Sequence, residues 1–80
     1  MVHYTEYLKP EDARSLCDAR IDSICREAFS HYLTAQANYA MDNEESALRF
    51  EKTADSLNSA LDAIVKERAK WEVTGGNDDQ

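Results

Sequence analysis

The sequence predicts an all-α protein built as an antiparallel two-helix hairpin of the coiled-coil type. Three observations support this fold class. The second half of the chain carries a heptad-like apolar stripe, the first half carries a longer helical stripe, and a polar segment at residues 42–45 separates the two. Apolar side chains that recur every three to four residues share one side of a helix and need a facing helix to cover them.

Residues 1–9 form an N-terminal arm for which the sequence predicts no firm structure. Tyr4 and Tyr7 stand outside the helical pattern of the rest of the chain. Amphipathic rings on a short arm are good anchors on a partner surface. The arm could equally fold back over its own hairpin, and the sequence leaves the two alternatives open.

The first helix is predicted over about residues 10–41. Pro10 suits the first helical position, and Glu11 and Asp12 suit the positive end of the helix dipole. The predicted seam residues are Ala13, Cys17, Ile21, Ile24, Ala28, Tyr32, Ala35 and Tyr39. A second apolar set flanks them and comprises Leu16, Cys25, Phe29, Leu33 and Ala40. The stripe is therefore wider than one facing helix can cover, which predicts completion to a four-helix bundle by dimerisation or by docking on a partner.

A turn is predicted at about residues 42–44, followed by a second helix over about 45–73. Asp42 with Glu45 three residues later has the form of an acidic capping box. The alternative is one unbroken helix over 10–73, which would expose both apolar stripes at once. The second stripe consists of Ala47, Phe50, Ala54, Leu57, Leu61, Ile64, Arg68 and Trp71. The hairpin is predicted to span 10–74, with Gly75 as a helix cap and 75–80 as a disordered acidic tail.

Arg68 is the one charged residue of the second stripe. Near a helix end a long side chain can extend its head to water, which is the interpretation we expect. The alternative is that the charge fixes the register or orientation of the helix pair. Antiparallel packing is also expected to bring Glu11 and Asp12 near Lys66 and Lys70.

The charge balance limits the classes of partner. Sixteen acidic and nine basic residues give a formal charge of −7. Phosphate backbones and anionic membranes require local positive charge, so we expect no direct nucleic-acid or membrane binding, whereas a protein partner with a basic surface is compatible. Cys17 and Cys25 would lie roughly 12 Å apart on one helix, too far for a disulfide. The absence of a signal peptide or a long apolar run predicts a soluble cytoplasmic protein.

The chain carries no recognisable catalytic, cofactor or metal motif. His31 follows Glu27 by four residues, but no further His or Cys stands three or four residues away to complete a tetrahedral site. None of the serines has a histidine at a spacing known for nucleophilic catalysis. We therefore predict a protein that is not an enzyme and binds no cofactor or metal.

The leading functional hypothesis is a small regulator, adaptor or inhibitor that binds and occludes another protein, and that forms a homodimer. The candidate partner-binding residues are Tyr4, Tyr7, Leu16, Phe29, Leu33, Asp42, Glu44 and Glu45. The alternative is an acidic mimic of nucleic acid that inhibits a DNA- or RNA-binding protein, as small phage anti-defence or anti-CRISPR proteins do. This alternative rests on the stretch from Glu27 to Leu48, which contains no Lys or Arg. Direct RNA binding by paired hairpins would need a basic face, which the dispersed Lys and Arg residues do not form.

Overall fold

The computed structural model describes residues 1–72. A short 3₁₀ helix, Tyr4–Tyr7, precedes two long helices, α1 over Pro10–Ala40 and α2 over Glu44–Lys70. The two long helices pack against each other along the hairpin, which confirms the predicted all-α hairpin and excludes the unbroken helix. Residues 73–80, with the predicted helix end at 73, the Gly75 cap and the acidic tail, lie outside the described residues.

Helix α1 begins where the proline predicts. Pro10 occupies the first turn, where a missing N–H costs nothing, and Glu11 and Asp12 follow it in that turn. Lys9 is the N-cap and makes no side-chain capping hydrogen bond. The carboxylates near the positive end of the dipole are therefore the electrostatic support at this end.

The turn between the helices is a Schellman motif, so the predicted capping box is wrong. The N–H of Asn43 donates to the carbonyl of Asn38 at 2.8 Å, and the N–H of Asp42 donates to the carbonyl of Tyr39 at 3.0 Å. Asp42 holds the left-handed position with φ of 59°, which glycine usually fills. Asn43, not Asp42, is the N-cap of α2, and its side-chain amide donates to Asn38 Oδ1 at 3.1 Å instead of capping the helix.

The seam between α1 and α2 follows the predicted stripes with one exception. All eight residues of the second predicted stripe, from Ala47 to Trp71, are buried or half-buried. On α1, Tyr32 was placed in the seam but is 46% exposed, whereas its neighbour His31 is half-buried. The His31 ring stacks on Phe50 of the facing helix with 5.9 Å between the ring centres. A polar residue therefore occupies the seam position that the sequence analysis gave to tyrosine.

Arg68 ties the open end of the hairpin, contrary to the expected extension into water. Its guanidinium donates from Nε to Asp18 Oδ1 across the seam at 2.6 Å, and it also pairs with Glu72. Arg14 adds a second tie, since its Nη1 donates to the Trp71 carbonyl at 2.7 Å. These contacts support the alternative in which the charge fixes the register.

The ion pairs expected between the start of α1 and the end of α2 are not formed in the described chain. Lys66 pairs with Asp62 at 3.1 Å and Lys70 pairs with Glu67 at 3.2 Å, both within α2. A lysine one turn away on its own helix meets a carboxylate with little loss of side-chain freedom, so the local pair forms in place of the distant one.

The molecule is a single layer with almost no interior. It is 14 Å thick, about the diameter of one helix with its side chains. Its radius of gyration is 17.7 Å, whereas a compact domain of this length has about 12 Å. Within residues 1–72 the buried side chains are Ala13, Ile24, Ala35 and Ala47. A stable domain usually needs two packed layers, and the hairpin provides only one.

Candidate partner-binding surfaces

One side of the hairpin carries an apolar groove of about 360 Å³, here called the groove face. Its lining residues are Cys25, Ala28, Phe29 and Tyr32 from α1, and Ala54, Asp55, Asn58 and Leu61 from α2. Phe29 is 60% exposed and its ring stacks on Tyr32, with 6.1 Å between the ring centres. An aromatic pair left in water beside a groove is an unfavourable arrangement that a covering apolar surface would relieve.

Phe29 and Tyr32 remain outside the seam because of the angles at which they leave α1. Successive residues of a helix are separated by about 100°, so a residue four positions on from a seam residue stays close to the seam while its neighbours turn away. Ala28 and His31 take the seam positions of this segment, and Phe29 and Tyr32, each one residue further on, are turned onto the groove face. Leu33 is exposed and extends the apolar surface along α1 without lining the groove.

A second cleft, of about 260 Å³, lies at the open end of the hairpin beside the N-terminal arm. We call it the arm cleft, and it is lined by Tyr4, Thr5, Leu8, Ala13, Leu16, Cys17, Glu67 and Trp71. The arm thus turns back towards its own hairpin, with Leu8 half-buried. The rings of Tyr4 and Tyr7 nevertheless remain 76% and 77% exposed. The arm forms one wall of an open cleft and leaves two aromatic rings on the surface.

Local hydrogen bonds shape the arm and the cleft. His3 caps the 3₁₀ helix, because the N–H of Thr5 donates to His3 Nδ1 at 3.3 Å, and the His3 ring stacks on Tyr4. On the other wall the indole Nε1 of Trp71 donates to Glu67 Oε2 at 3.1 Å. That bond, with the one from Lys70, holds the pKa of Glu67 below its usual range. The indole is therefore fixed in orientation at the edge of the arm cleft.

The two clefts open on different sides of the hairpin. Leu16 lines the arm cleft and Phe29 lines the groove face, and both stand on α1. They are thirteen residues apart, so their directions around the helix differ by about 140°. One partner surface can therefore cover the groove face while the arm cleft stays open.

The closed end of the hairpin, where the turn joins α1 to α2, is acidic and is held by hydrogen bonds. Asp42, Glu44 and Glu45 are all exposed, and the two glutamates lie in the first turn of α2. Next to them the Tyr39 hydroxyl donates to Glu51 Oε1 at 2.7 Å, joining α1 to α2. The carboxylate that accepts this bond raises the pKa of Tyr39 above its ordinary value. The exposed carboxylates of this end therefore stand on a backbone that hydrogen bonds hold in place.

The structure distributes the predicted binding residues over separate places. Tyr4 and Leu16 meet in the arm cleft, with Tyr7 exposed on the same arm. Phe29 lines the groove face with Leu33 beside it, and the three acidic residues share the closed end. Five lining residues are not among the candidates predicted from the sequence: Tyr32, Ala54 and Leu61 in the groove, and Leu8 and Trp71 in the arm cleft. Tyr32, Ala54, Leu61 and Trp71 are all predicted as seam residues. The last three are half-buried, and the exposed edge of a half-buried seam residue also forms the wall of the adjoining cleft.

The part of the chain that the structure describes also bears on metal binding, membrane insertion and thiol chemistry. Residues 1–72 contain no group of three or more His, Cys, Asp or Glu side chains placed to hold a metal ion. Over the same residues, neither long helix carries an apolar run that could cross a membrane. Cys17 and Cys25 are free thiols, the first half-buried and the second exposed on the groove face.

No family model matches the chain, and neither a curated protein nor a solved structure shows significant similarity to it.

Proposed function

We propose that this protein is a non-catalytic protein–protein interaction module, a small regulator, adaptor or inhibitor that acts by binding and occluding another protein. The observation that carries the proposal is the groove face. Large apolar side chains, above all Phe29 and Tyr32, stay in water while the buried positions of the seam are held mainly by alanine. Exposed apolar patches of this kind are typical of protein interaction sites.

The groove face is proposed to be covered by helices that complete a four-helix bundle. The hairpin is a single layer 14 Å thick. Its two helices cover each other along the seam, and the two broad faces of the layer stay open. Helices laid across the groove face would turn the layer into a bundle with an interior. The covering helices belong either to a second copy of this chain or to a different protein.

The proposal is tested by disrupting the groove face without touching the seam. We would immobilise the wild-type protein and the Phe29→Glu variant, expose both to an extract of the native host, and identify the retained proteins by mass spectrometry. A charge buried among apolar groups is strongly unfavourable, so a partner bound through the groove face should be lost with Phe29→Glu.

Ala60→Glu is the matched control, because Ala60 is exposed on α2 and lines neither cleft. It adds the same charge elsewhere and should retain the same partner. Far-UV circular dichroism of both variants checks that the helices remain. If the retained proteins are identical for the wild type and for Phe29→Glu, the groove face is not the binding surface.

A second candidate is the acidic mimic of nucleic acid, favoured by the exposed carboxylates of the closed end. Asp42, Glu44 and Glu45 stand together on a frame tied by Schellman hydrogen bonds. Binding through this end would weaken steeply between low and moderate salt and would be lost on replacing the three carboxylates by amides. Binding that withstands both changes but not Phe29→Glu would reject this candidate and favour the groove face.

A further inference from the structure

We propose that a second copy of this chain covers the groove face, with the two hairpins packed head-to-tail, so that the closed end of one lies against the open end of the other. The inference rests on the proposed function, since it names the helices that complete the bundle. It is carried by three properties of the hairpin: its surface area, the place of the groove along α1, and the distribution of charge.

The exposed surface is larger than a compact monomer of this mass would have. Residues 1–72 alone expose 5918 Å², whereas a folded monomer of the whole chain's 9.1 kDa is expected to expose only about 4,900 Å². The excess of roughly 1,000 Å² is comparable to the surface of about 800 Å² that each partner buries in a standard interface. A stable dimer would therefore bring the exposed area per chain into the ordinary range.

The groove lies near the middle of α1, which allows a symmetric pair to overlap along most of its length. The midpoint of Pro10–Ala40 is residue 25, and the α1 residues that line the groove, within 25–32, are centred near residue 29. The two points are about 6 Å apart along the helix axis. A twofold axis through the groove and perpendicular to the helices would therefore offset the two hairpins by only about 12 Å over helices about 45 Å long.

Charge selects the head-to-tail orientation. Residues 27–57, the closed half, carry six acidic and two basic side chains, a net charge of −4. Residues 1–26 and 58–80, the other half, carry ten acidic and seven basic side chains, a net charge of −3. Parallel stacking would place one −4 half, with its stretch 27–48 that contains no Lys or Arg, on another, whereas head-to-tail packing places each on a half that carries seven of the nine basic residues. Opposed orientation is therefore electrostatically favoured.

Such a dimer keeps two further surfaces free. The arm cleft opens about 140° away from Phe29, so it stays on the outside of each hairpin. The acidic closed ends stand at opposite ends of the bundle. The dimer would present each of these surfaces twice to a target.

The first experiment is sedimentation equilibrium of the full chain over a range of concentrations. We expect a mass of twice 9.1 kDa for the wild type. Phe29→Glu should raise the dissociation constant at least roughly tenfold, as expected for an aromatic residue at the centre of an interface. Leu16→Glu tests the other cleft, because Leu16 lies on the same helix and is exposed to nearly the same extent, 63% against 60%. The control is Ala60→Glu, because Ala60 is exposed on α2 and lines neither cleft. Both variants should leave the dimer intact.

The second experiment measures the orientation. Met41 is exposed at the closed end, so a spin label on Met41→Cys, with Cys17 and Cys25 replaced by serine, reports where that end lies. Head-to-tail packing places the two labels about 35 Å apart. Parallel packing would bring them within roughly 20 Å, since packed helices are separated by 8–10 Å. A short distance would overturn the orientation while leaving the dimer.

The outcomes separate this inference from the proposed function. A monomer at all concentrations overturns the second copy as the occupant, and if Phe29→Glu still abolishes capture of a different protein, the interaction module stands with another partner. A dimer that Phe29→Glu leaves intact while Leu16→Glu dissociates it would place the interface at the arm cleft and overturn the groove face. Circular dichroism of each variant shows whether a lost dimer reflects lost helices.

Discussion

The seam and the groove face of α1 are built from opposite kinds of residue. In the seam the buried positions of α1 are Ala13, Ile24 and Ala35, whereas the groove face carries the larger Phe29 and Tyr32 with about half or more of each side chain in water. A globular domain places its aromatic residues inside and tolerates small ones outside. Small seam residues let two helices approach closely. The difference teaches that the helix pair closes around small buried residues of α1, while Phe29 and Tyr32 form the exposed apolar surface that the proposed partner would cover.

The largest effect is expected from Ile24→Ala, which tests the seam directly. Ile24 is 7% exposed and is the largest buried side chain of the described residues. Its truncation removes buried methyl groups and leaves a cavity, so we expect a loss of about 2–5 kcal/mol in the free energy of unfolding. Urea titration followed by circular dichroism measures it, and the loss should be the same at every protein concentration.

Phe29→Ala is the matched variant on the groove face. It should reduce stability only at concentrations at which the protein associates, because a residue in a partner contact contributes by mass action. At high dilution the variant and the wild type should unfold together. A loss at high dilution as large as that of Ile24→Ala would show that Phe29 belongs to the hairpin's own core and would remove the contrast between the two faces.

Ala35→Leu sharpens the same comparison from the side of small residues. Ala35 is fully buried in the seam, so three additional carbon atoms have no space. Overpacking of this kind costs about 1–3 kcal/mol. Ala40→Leu, on the exposed side of α1, is the control and should change the melting temperature little. Equal melting temperatures for Ala35→Leu and the wild type would mean that the seam does not require small residues.

The fold was largely predictable because the helical spacing of the apolar residues and the polar segment at 42–45 indicate the same two helices. Every residue of the α2 stripe was predicted, since steps of three and four alternate without exception from Ala47 to Trp71. On α1 a strict alternation from Cys17 reaches His31 and Asn38, which the prediction passed over because both are polar. The helical spacing alone, without regard to polarity, predicts these two seam positions correctly, since both residues are half-buried in the structure.

The details at the two ends were not predictable from one helix at a time. Asp42 has the residue type of an N-cap, and only the hydrogen bonds from residues 42 and 43 back to α1 show that it closes the preceding helix. The partner of Arg68 is Asp18, fifty residues away, and the register that joins them depends on the turn. The groove face was predictable in part, since the surplus apolar set of α1 is visible in the sequence, whereas Ala54 and Leu61 of its α2 wall are predicted as seam residues.

Asp42→Gly tests the closed end of the seam. Asp42 is held at φ of 59°, where a side chain beyond Cα crowds the backbone and glycine does not. We expect a gain of about 0.5–1 kcal/mol in the free energy of unfolding, smaller than either seam effect because aspartate tolerates this conformation better than most residues. Asp42→Ala removes the same charge without relieving the backbone and should be no more stable than the wild type. Equal gains for the two variants would assign the effect to charge.

The smallest effect is expected at the open end, where the seam is tied by charge. The hydrogen bond from Arg68, with the positive charge of its guanidinium, holds the pKa of Asp18 below its ordinary value of 3.8. A carboxyl whose pKa is lowered by folding stabilises the fold above its unfolded-state pKa, and this stabilisation is lost as the pH falls through the folded-state value. Wild type should therefore exceed Asp18→Asn in urea midpoint at neutral pH, and the difference should shrink below about pH 4.

Asp22→Asn is the control for the open end, since Asp22 pairs with Arg26 on its own helix and ties no second one. The side chain of Asp18 is itself 56% exposed, so solvent and salt weaken its pair, and the difference between wild type and Asp18→Asn should also shrink in high salt. A difference that persists unchanged at acid pH would mean that the asparagine acts through packing rather than charge. The pair of Arg68 and Asp18 would then contribute no charge interaction to the seam, and the open end would be held by packing and by the hydrogen bond from Arg14 to the Trp71 carbonyl.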